Sequence, residues 1–490
     1  MTSAIEKTDA FLAQTRPMLI GSEWVLAQSG ETISVENPAT GQEIGRVPAG
    51  SAADADRAVA AARKSFSDRV WRGLTPDARA AIMWKLADLI ESNMEEFARL
   101  EVLDNGMTRN FAVATIASAA SKLRYYAGYA TKISGRTVQM GADMEFHAYS
   151  VPEPVGVAVL ITPWNGPLAT LGTKLAPALA AGCSIVIKPA ELTSLSTLRL
   201  GELALEAGVP PGVINIVTGY GHVIGAALVN HDGVDKVSFT GSTVVGKSIV
   251  QAAAGNLKRV TLELGGKSPV FIFDDADLEA AIPAAAMGIF LNTGQVCYAG
   301  SRLYVQDSIH DKVVDGLQAA AQAMRLGSGL EPTTQLGPLI SAKQRERVMS
   351  YIESGRVDGA DLVAGGKAHG DEGYFVEPTI FANARPDMRI VQEEIFGPVL
   401  SVMRFNGLED VEKLGNATTY GLGAGVYTRD ISKAHKTARL LETGMVWVNC
   451  YGRADKALPF GGFKQSGWGR ENGPEGLDAF LEHKSVFMKL

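Results

Sequence analysis

The sequence predicts an α/β protein of two domains, each built on a doubly wound parallel sheet. Three observations carry this. From Val155 onward short apolar runs alternate with segments of helical length, and a second alternation of the same kind begins near Ser268. The 53 glycines cluster at strand-to-helix joints and form no linker. The 490 residues suffice for two to four domains of about 150 residues, and no internal repeat, low-complexity tract or heptad run interrupts them.

In chain order, residues 21–48 read as short strands joined by turns at Gly21, Asn37-Pro38 and Gly41. One long amphipathic helix follows: Thr75 caps it, Pro76 suits its first position, and Ile82, Leu86, Leu89, Ile90, Phe97 and Leu100 recur at helical spacing until Asn105-Gly106. Residues 155–161, 184–187, 213–217 and 236–239 read as buried strands, with crossover helices at 194–206 and 224–230. The second alternation gives strands at 269–273, 302–305, 399–405, 424–428 and 444–449. Residues 142–154 and the tail after Gly467 fit neither core and are candidates for an interface.

Composition narrows the function. With 46% hydrophobic and 20% charged residues the chain is globular, not disordered or collagen-like. Its net charge of −7, with no run of Lys and Arg, argues against a nucleic-acid platform. Three cysteines make no paired framework, which suits a reducing compartment. Glu6, Lys7 and Asp9 precede any apolar run, and the two long uncharged stretches, 154–173 and 280–301, are broken by Pro, Asn and Gly. The expectation is a cytoplasmic protein with no membrane partner.

Several constellations bear chemistry. Gly241 to Ser248 matches the phosphate-cradling pattern G-x-x-x-x-G-K-[ST] directly after a strand, and the acidic end of residues 270–275 resembles a magnesium-holding strand. Three readings stay open: a pyrophosphate at a helix N-terminus, ATP hydrolysis, or a structural helix start. Cys297 lies between Gly294 and Gly300 in a tight loop, which suits a nucleophile better than a core residue, whereas Cys183 and Cys450 follow core patterns. The seven histidines sit in polar settings and read as solvated, so none is the partner base, and no His/Cys/acid cluster has metal-ligand spacing. Glu263, between leucines beside a Gly-Gly turn, can be the base, because apolar neighbours raise its pKa. Asn165 ends a strand and reads equally as a turn cap or an oxyanion donor.

Taken together, these motifs resemble the NAD(P)-dependent aldehyde dehydrogenase superfamily. The Pro163–Pro167 turn, Lys188 to Glu191, Phe239 to Thr243, Glu263 to Lys267, Gly294 to Cys297, Glu393 to Pro398 and Pro459 to Gly467 occur in the family's order over nearly the whole chain. The resemblance implies an aldehyde dehydrogenase-like α/β fold. A cofactor domain would use 1–130 and 151–261, a catalytic domain 262–466, and a small β oligomerisation element 131–150 and 467–490, in a homodimer or homotetramer. It also implies a mechanism. Cys297 attacks the aldehyde, Asn165 and the Cys297 N–H hold the oxyanion, hydride passes to the nicotinamide, and water activated by Glu263 hydrolyses the thioester. ATP hydrolysis by a P-loop protein and a non-catalytic relative remain as alternatives.

For the cofactor the resemblance implies contacts at Ile161, Thr162, Pro163, Trp164, Lys188, Glu191, Gly221, Phe239, Gly241, Ser242, Gly246, Leu264, Glu394 and Phe396. A carboxylate at Glu191 would accept from a ribose 2′-hydroxyl and repel a 2′-phosphate, favouring NAD over NADP. Where many relatives carry bulky aromatics, this chain has Gly166, Thr173 and Ala454. The expected tunnel is therefore wide, walled by Tyr298 and Phe460, and suits a bulky aromatic or branched aldehyde. Arg453, with Lys456 in the same loop, keeps a carboxylate-bearing semialdehyde as the competing substrate.

Overall fold

A computed structural model describes residues 3–141 and 144–490; Ala142 and Asp143, part of the expected interface segment, and Met1 and Thr2 lie outside them. Two mixed sheets organise the chain. In the first, β1 (Val157–Ile161), β2 (Ser184–Lys188), β3 (Ile214–Ile216), β4 (Lys236–Thr240) and β5 (Arg259–Glu263) run parallel in the order β3-β2-β1-β4-β5. Antiparallel strands Met18–Ile20 and Glu23–Val25 extend one edge, and Gly467–Trp468 extends the other. Strand order reverses between β1 and β4, and that reversal opens a crevice at the carboxyl ends of an open α/β sheet.

The second sheet contains β6 (Pro269–Ile272), β7 (Arg302–Gln306), β8 (Thr379–Ala382), β9 (Val399–Phe405), β10 (Gly423–Tyr427) and β11 (Met445–Val448) in the order β8-β9-β7-β6-β10-β11, all parallel. One further strand, Asp361–Ala364, pairs antiparallel with β8. The central strands β1, β2, β6 and β10 are buried along their whole length, so apolar side chains follow one another without alternation, apart from Ser184 and Lys188 at the two ends of β2.

Several sequence expectations change. The long helix is two, α1 (Pro76–Ser92) and α2 (Met94–Asn105). Asn93 between them has φ −113° and ψ 22°, which turns the chain out of the helix that the apolar spacing suggests, and its side-chain amide joins its own N–H on the Leu89 carbonyl at 2.8 Å. β5 joins the first sheet, so the chain passes between sheets after Glu263 and not at 261. The tail divides: residues 467–480 pack on the first sheet and its helices, and only Leu481–Lys489 enters a third, antiparallel sheet, beside Phe146–Pro154 and Thr137–Val138. That third sheet takes in residues 151–154, which the sequence places with the cofactor domain. The Asp361–Ala364 and β8 strands, four residues each, are too short to show a period. His310 is buried, not solvated, and its Nδ1 lies 2.9 Å from the Asp311 carboxylate.

Two helices complete the frame of the site. α3 (Arg109–Ala127) is capped by Thr108, whose hydroxyl accepts from Phe111 N–H. α4 (Pro167–Ala181), apolar and almost wholly buried, starts directly after the turn that follows β1. Its first free N–H groups include that of Leu168, which donates to the buried Glu101 carboxylate at 2.9 Å. Among the described residues no helix is long and apolar enough to cross a membrane.

Candidate active site

A cavity of about 1030 Å³ lies between the carboxyl ends of the first sheet and the amino ends of the second. From the first sheet it receives Pro163 to Gly166 after β1, Thr240 to Val244 after β4, and Glu263 to Gly265 at the end of β5. From the second it receives Val296 to Tyr298 ahead of β7, Glu393, Glu394 and Phe396 ahead of β9, and Tyr420 ahead of β10. Residues remote in sequence therefore meet because each sheet contributes only its connecting turns.

Cys297 is half-buried at this junction. Asn292, Thr293 and Gly294 before it hold φ of 48°, 58° and 72°, three successive left-handed residues that fold the chain back. At Gly294 a Cβ would stand 2.0 Å from the Gly397 carbonyl, so only glycine fits. The Asn165 amide donates to the Gln295 carbonyl at 2.8 Å, and the Asn292 amide donates to the Asn165 carbonyl at 3.0 Å. Asn165 thereby joins the β1 turn to the cysteine loop with one N–H and keeps its second for the cavity. Burial first, then the Glu394 and Glu263 carboxyls, push the thiol well above its ordinary pKa, against the pull of the Tyr298 and Cys297 N–H groups.

Two carboxyls act on that sulfur, Glu263 buried and Glu394 half-buried. Glu263 is 3% exposed, and among the described residues neither of its oxygens has a hydrogen-bond partner. Burial, then the Glu471 charge, raises its pKa well above the usual carboxylate range, with Lys174 and Arg470 opposing. An orphaned buried carboxyl is costly and rare, and such groups concentrate at functional sites. Glu394 instead accepts from the Gly266 N–H at 3.0 Å, and burial lifts it to about 7. Glu471 also lines the cavity and is ion-paired with Lys174, which α4 carries in its buried interior and which donates to Ser238 at 3.1 Å as well.

Of the residues that the sequence selects, Cys297, Glu263, Asn165, Pro163, Trp164, Gly241, Ser242, Leu264, Glu394, Phe396, Gly166, Thr173, Tyr298, Arg453, Ala454 and Phe460 line this one cavity. Trp164 packs edge-on against Phe396, with ring centroids 5.2 Å apart, and Tyr298 meets Phe460 at 6.2 Å. Ile161, Thr162, Lys188, Glu191, Gly221, Phe239 and Gly246 stand outside its lining. Lys188 is buried at the end of β2, where its ammonium meets Glu191 at 3.1 Å, and Gly246 gives α5 (Thr243–Ala253) room against Leu264. Lys247 of the phosphate-cradling pattern is exposed, and the Asp275 carboxylate of the magnesium-like strand accepts from Thr428 at 2.8 Å at the far end of β6. Cys450 is half-exposed on a separate cavity of about 390 Å³, not a core residue, because the β11 strand ends two positions earlier.

Sequence reasoning missed one wall. Phe111, Ala114, Thr115, Ser118 and Lys122 share a face of α3, and Ala169, Thr170 and Thr173 face them from α4. Nothing distinguishes that face from an ordinary helix spacing. Lys174 carried a legible signal, a lone cation inside an apolar helix.

The comparisons with known proteins agree on one assignment. The family model for the aldehyde dehydrogenase family matches residues 24–486. An aldehyde dehydrogenase from Bacillus cereus, solved as an NAD+ complex, is 48% identical with a TM-score of 0.97, over 99% of this chain and 98% of that one. A betaine aldehyde dehydrogenase from Staphylococcus aureus in complex with NAD+ is 40% identical with a TM-score of 0.97, over 99% and 97%. The Arabidopsis thaliana aldehyde dehydrogenase family 2 member C4 is 47% identical over 96% of this chain and 95% of its own length.

Proposed function

We propose a reaction from one premise: this chain belongs to the aldehyde dehydrogenase family. It is an enzyme that oxidises an aldehyde to the carboxylic acid with NAD as electron acceptor. The observation that carries the residue assignment is the meeting, in one cavity, of the Cys297 thiol with the buried, unpartnered Glu263 carboxyl.

The cavity fits the cofactor. Its floor is the N-terminus of the 11-residue α5, capped by Ser242, beside a Thr240 hydroxyl that is buried without a partner. Ser242 would meet the pyrophosphate, Glu394 a ribose hydroxyl, and Phe396 with Leu264 the nicotinamide ring. Lys188 and Glu191 would hold the adenosine ribose, where the Glu191 carboxylate favours NAD over NADP. Bound there, NAD supplies the two-electron acceptor that the protein lacks.

The chain's own residues do the rest. The Cys297 sulfur adds to the aldehyde carbon, and the oxyanion is met by the free N–H of Asn165 and the Cys297 backbone N–H. After oxidation the acyl group remains on the sulfur as a thioester. Glu263 then takes a proton from water as the water attacks the acyl carbon, a role that a raised pKa prepares it for. The thiol leaves and is reset. Glu471 and Lys174 stand beside Glu263 as a route for the proton it collects.

Gly166, Thr173, Ala454 and the small side chains of α3 leave width in the cavity, which supports a bulky aromatic or branched aldehyde. Arg453 at the mouth favours the second reading, a carboxylate-bearing aldehyde. The third sheet, with Phe487 and Leu490 exposed on Leu481–Lys489 and beyond, would join subunits as a dimer or tetramer. A panel of aldehydes assayed with NAD and with NADP tests the reading. NADH formation abolished by Cys297→Ala supports it, and acetaldehyde outperforming benzaldehyde in kcat/KM removes the wide-tunnel part.

A further inference from the structure

The Lys122 ammonium is the cation on the α3 wall of the cavity. It donates to the Ala169 carbonyl at 3.0 Å and to the Thr173 hydroxyl at 2.5 Å, both on α4. Thr173 sends its own proton to the same carbonyl at 3.0 Å, so its lone pairs are free to receive the lysine. An ammonium has three N–H donors; two are taken, and among the described residues no third acceptor is bonded. The two acidic side chains that share this part of the cavity do not take it. Glu471 is engaged by Lys174, and Glu263 has no hydrogen-bond partner among the described residues, Lys122 included. Ser118, one turn before Lys122, and Thr170, next to Ala169, line the same cavity together with Ala114 and Thr115, so this side of it is a trough of small side chains.

The helix gives the reach. Ala169 and Thr173 lie two and six residues beyond Pro167, the first residue of α4, so at 1.5 Å per residue the amine stands about 3–9 Å along the helix from the turn that carries Asn165. That separation suits an aldehyde whose far end is across a ring or a medium-length chain from its carbonyl. Burial holds the amine at about 8, with the Glu471 charge raising it and Lys174 lowering it, so at neutral pH it is mostly charged.

We propose that Lys122 is a specificity-determining residue which uses its third N–H to bind a carboxylate at the far end of a ring- or chain-bearing aldehyde. The inference rests on the dehydrogenase reading above and deepens it, because it assigns the substrate's second functional group. A carboxylate entering this trough exchanges water for a charge-assisted hydrogen bond, whereas an apolar group there leaves the amine's donor unmet.

The test compares 4-carboxybenzaldehyde with 4-methylbenzaldehyde, its apolar counterpart of similar length, using NAD and the full-length enzyme. Wild type should favour the carboxy compound in kcat/KM. Lys122→Met should lose that preference by about 10- to 100-fold, with 4-methylbenzaldehyde unchanged or improved. Lys122→Gln, which keeps a hydrogen bond to α4 without the charge, should behave likewise, and Lys122→Arg should retain the preference. The ratio of two substrates on one preparation does not depend on how much of it is folded. Equal losses for both substrates, or a preference that survives Lys122→Met, overturn the proposal. Failure of wild type to oxidise the carboxy compound also overturns the proposal, whereas oxidation that survives Cys297→Ala overturns the Cys297 mechanism it rests on.

Discussion

Glu263 and Glu394 stand on two connections that reach the same sulfur from different sheets, and they are held in opposite ways. Glu263 ends a strand of the first sheet with neither oxygen bonded. Glu394 precedes a strand of the second and is anchored by the Gly266 N–H, with the Lys267 and Arg347 charges also acting on it. A carboxyl with no fixed partner can turn and exchange a proton. One fixed by a backbone donor is suited to holding a ligand hydroxyl in place. Glu263 is the more deeply buried of the two, and the hydrogen bonds separate them further.

The sharpest way to break this comparison is to remove what both carboxyls surround. Cys297→Ala should abolish NAD-linked aldehyde oxidation, at least about 10³-fold in kcat, without loss of NAD binding measured by calorimetry. Next comes Glu263→Gln, which should slow turnover by about 10²- to 10⁴-fold and leave a burst of NADH where deacylation limits. The wild-type limb in which kcat rises with pH, set by ionisation of the Glu263 base above its raised pKa, should flatten in this variant. Glu394→Gln should leave acyl hydrolysis near wild type and raise the KM for NAD by about tenfold. Reversal of those two phenotypes would refute the division of roles.

Thermal unfolding sharpens it further. Burial raises Glu394 from 4.5 to about 7, so between those values the folded state holds a proton that the unfolded state has released. Its contribution to stability is present at low pH and is lost as pH rises through about 7. The Tm of Glu394→Gln minus that of wild type should therefore increase from pH 5 to pH 8, and a constant difference would contradict the raised pKa. The smallest effect concerns the thiol. After burial, Glu394 contributes more than Glu263 to the raised Cys297 pKa. Above pH 7 alkylation of Cys297 by iodoacetamide should accelerate in both Gln variants, and more in Glu394→Gln. Equal acceleration would say that the two charges act alike on the sulfur.

Much of the candidate site could be picked out before any fold was known, because each selected residue departs from its local pattern, and the fold brings them to one cavity. Cys297 sits in a glycine-bounded loop that no core strand would use, and Glu263 is a charge among leucines beside two glycines. The strands β1, β2, β4, β7 and β9 could be read to within a few residues, since burial on both faces concentrates apolar residues into short runs. The break at Asn93 was not legible, because apolar spacing on both sides keeps helical phase while a single backbone angle departs. Nor was the division of the tail at residues 480–481, which depends on which sheet edge lies open to receive Gly467–Trp468.

The amino-acid sequence by itself singled out three candidate groups: a thiol in a tight glycine-bounded loop, a carboxyl at the end of an apolar strand and an amide in the turn after another. Tertiary structure alone decided what those groups face. The pairing of Lys174 with Glu471, the anchoring of Glu394, the absence of any partner for Glu263 and the arrival of Lys122 in the cavity all join residues tens to hundreds of positions apart. A residue's type and its neighbours in the chain fix its backbone and its intrinsic acidity. Its hydrogen bonds and its burial are set by segments that packing brings alongside, and those carry no mark in the local sequence.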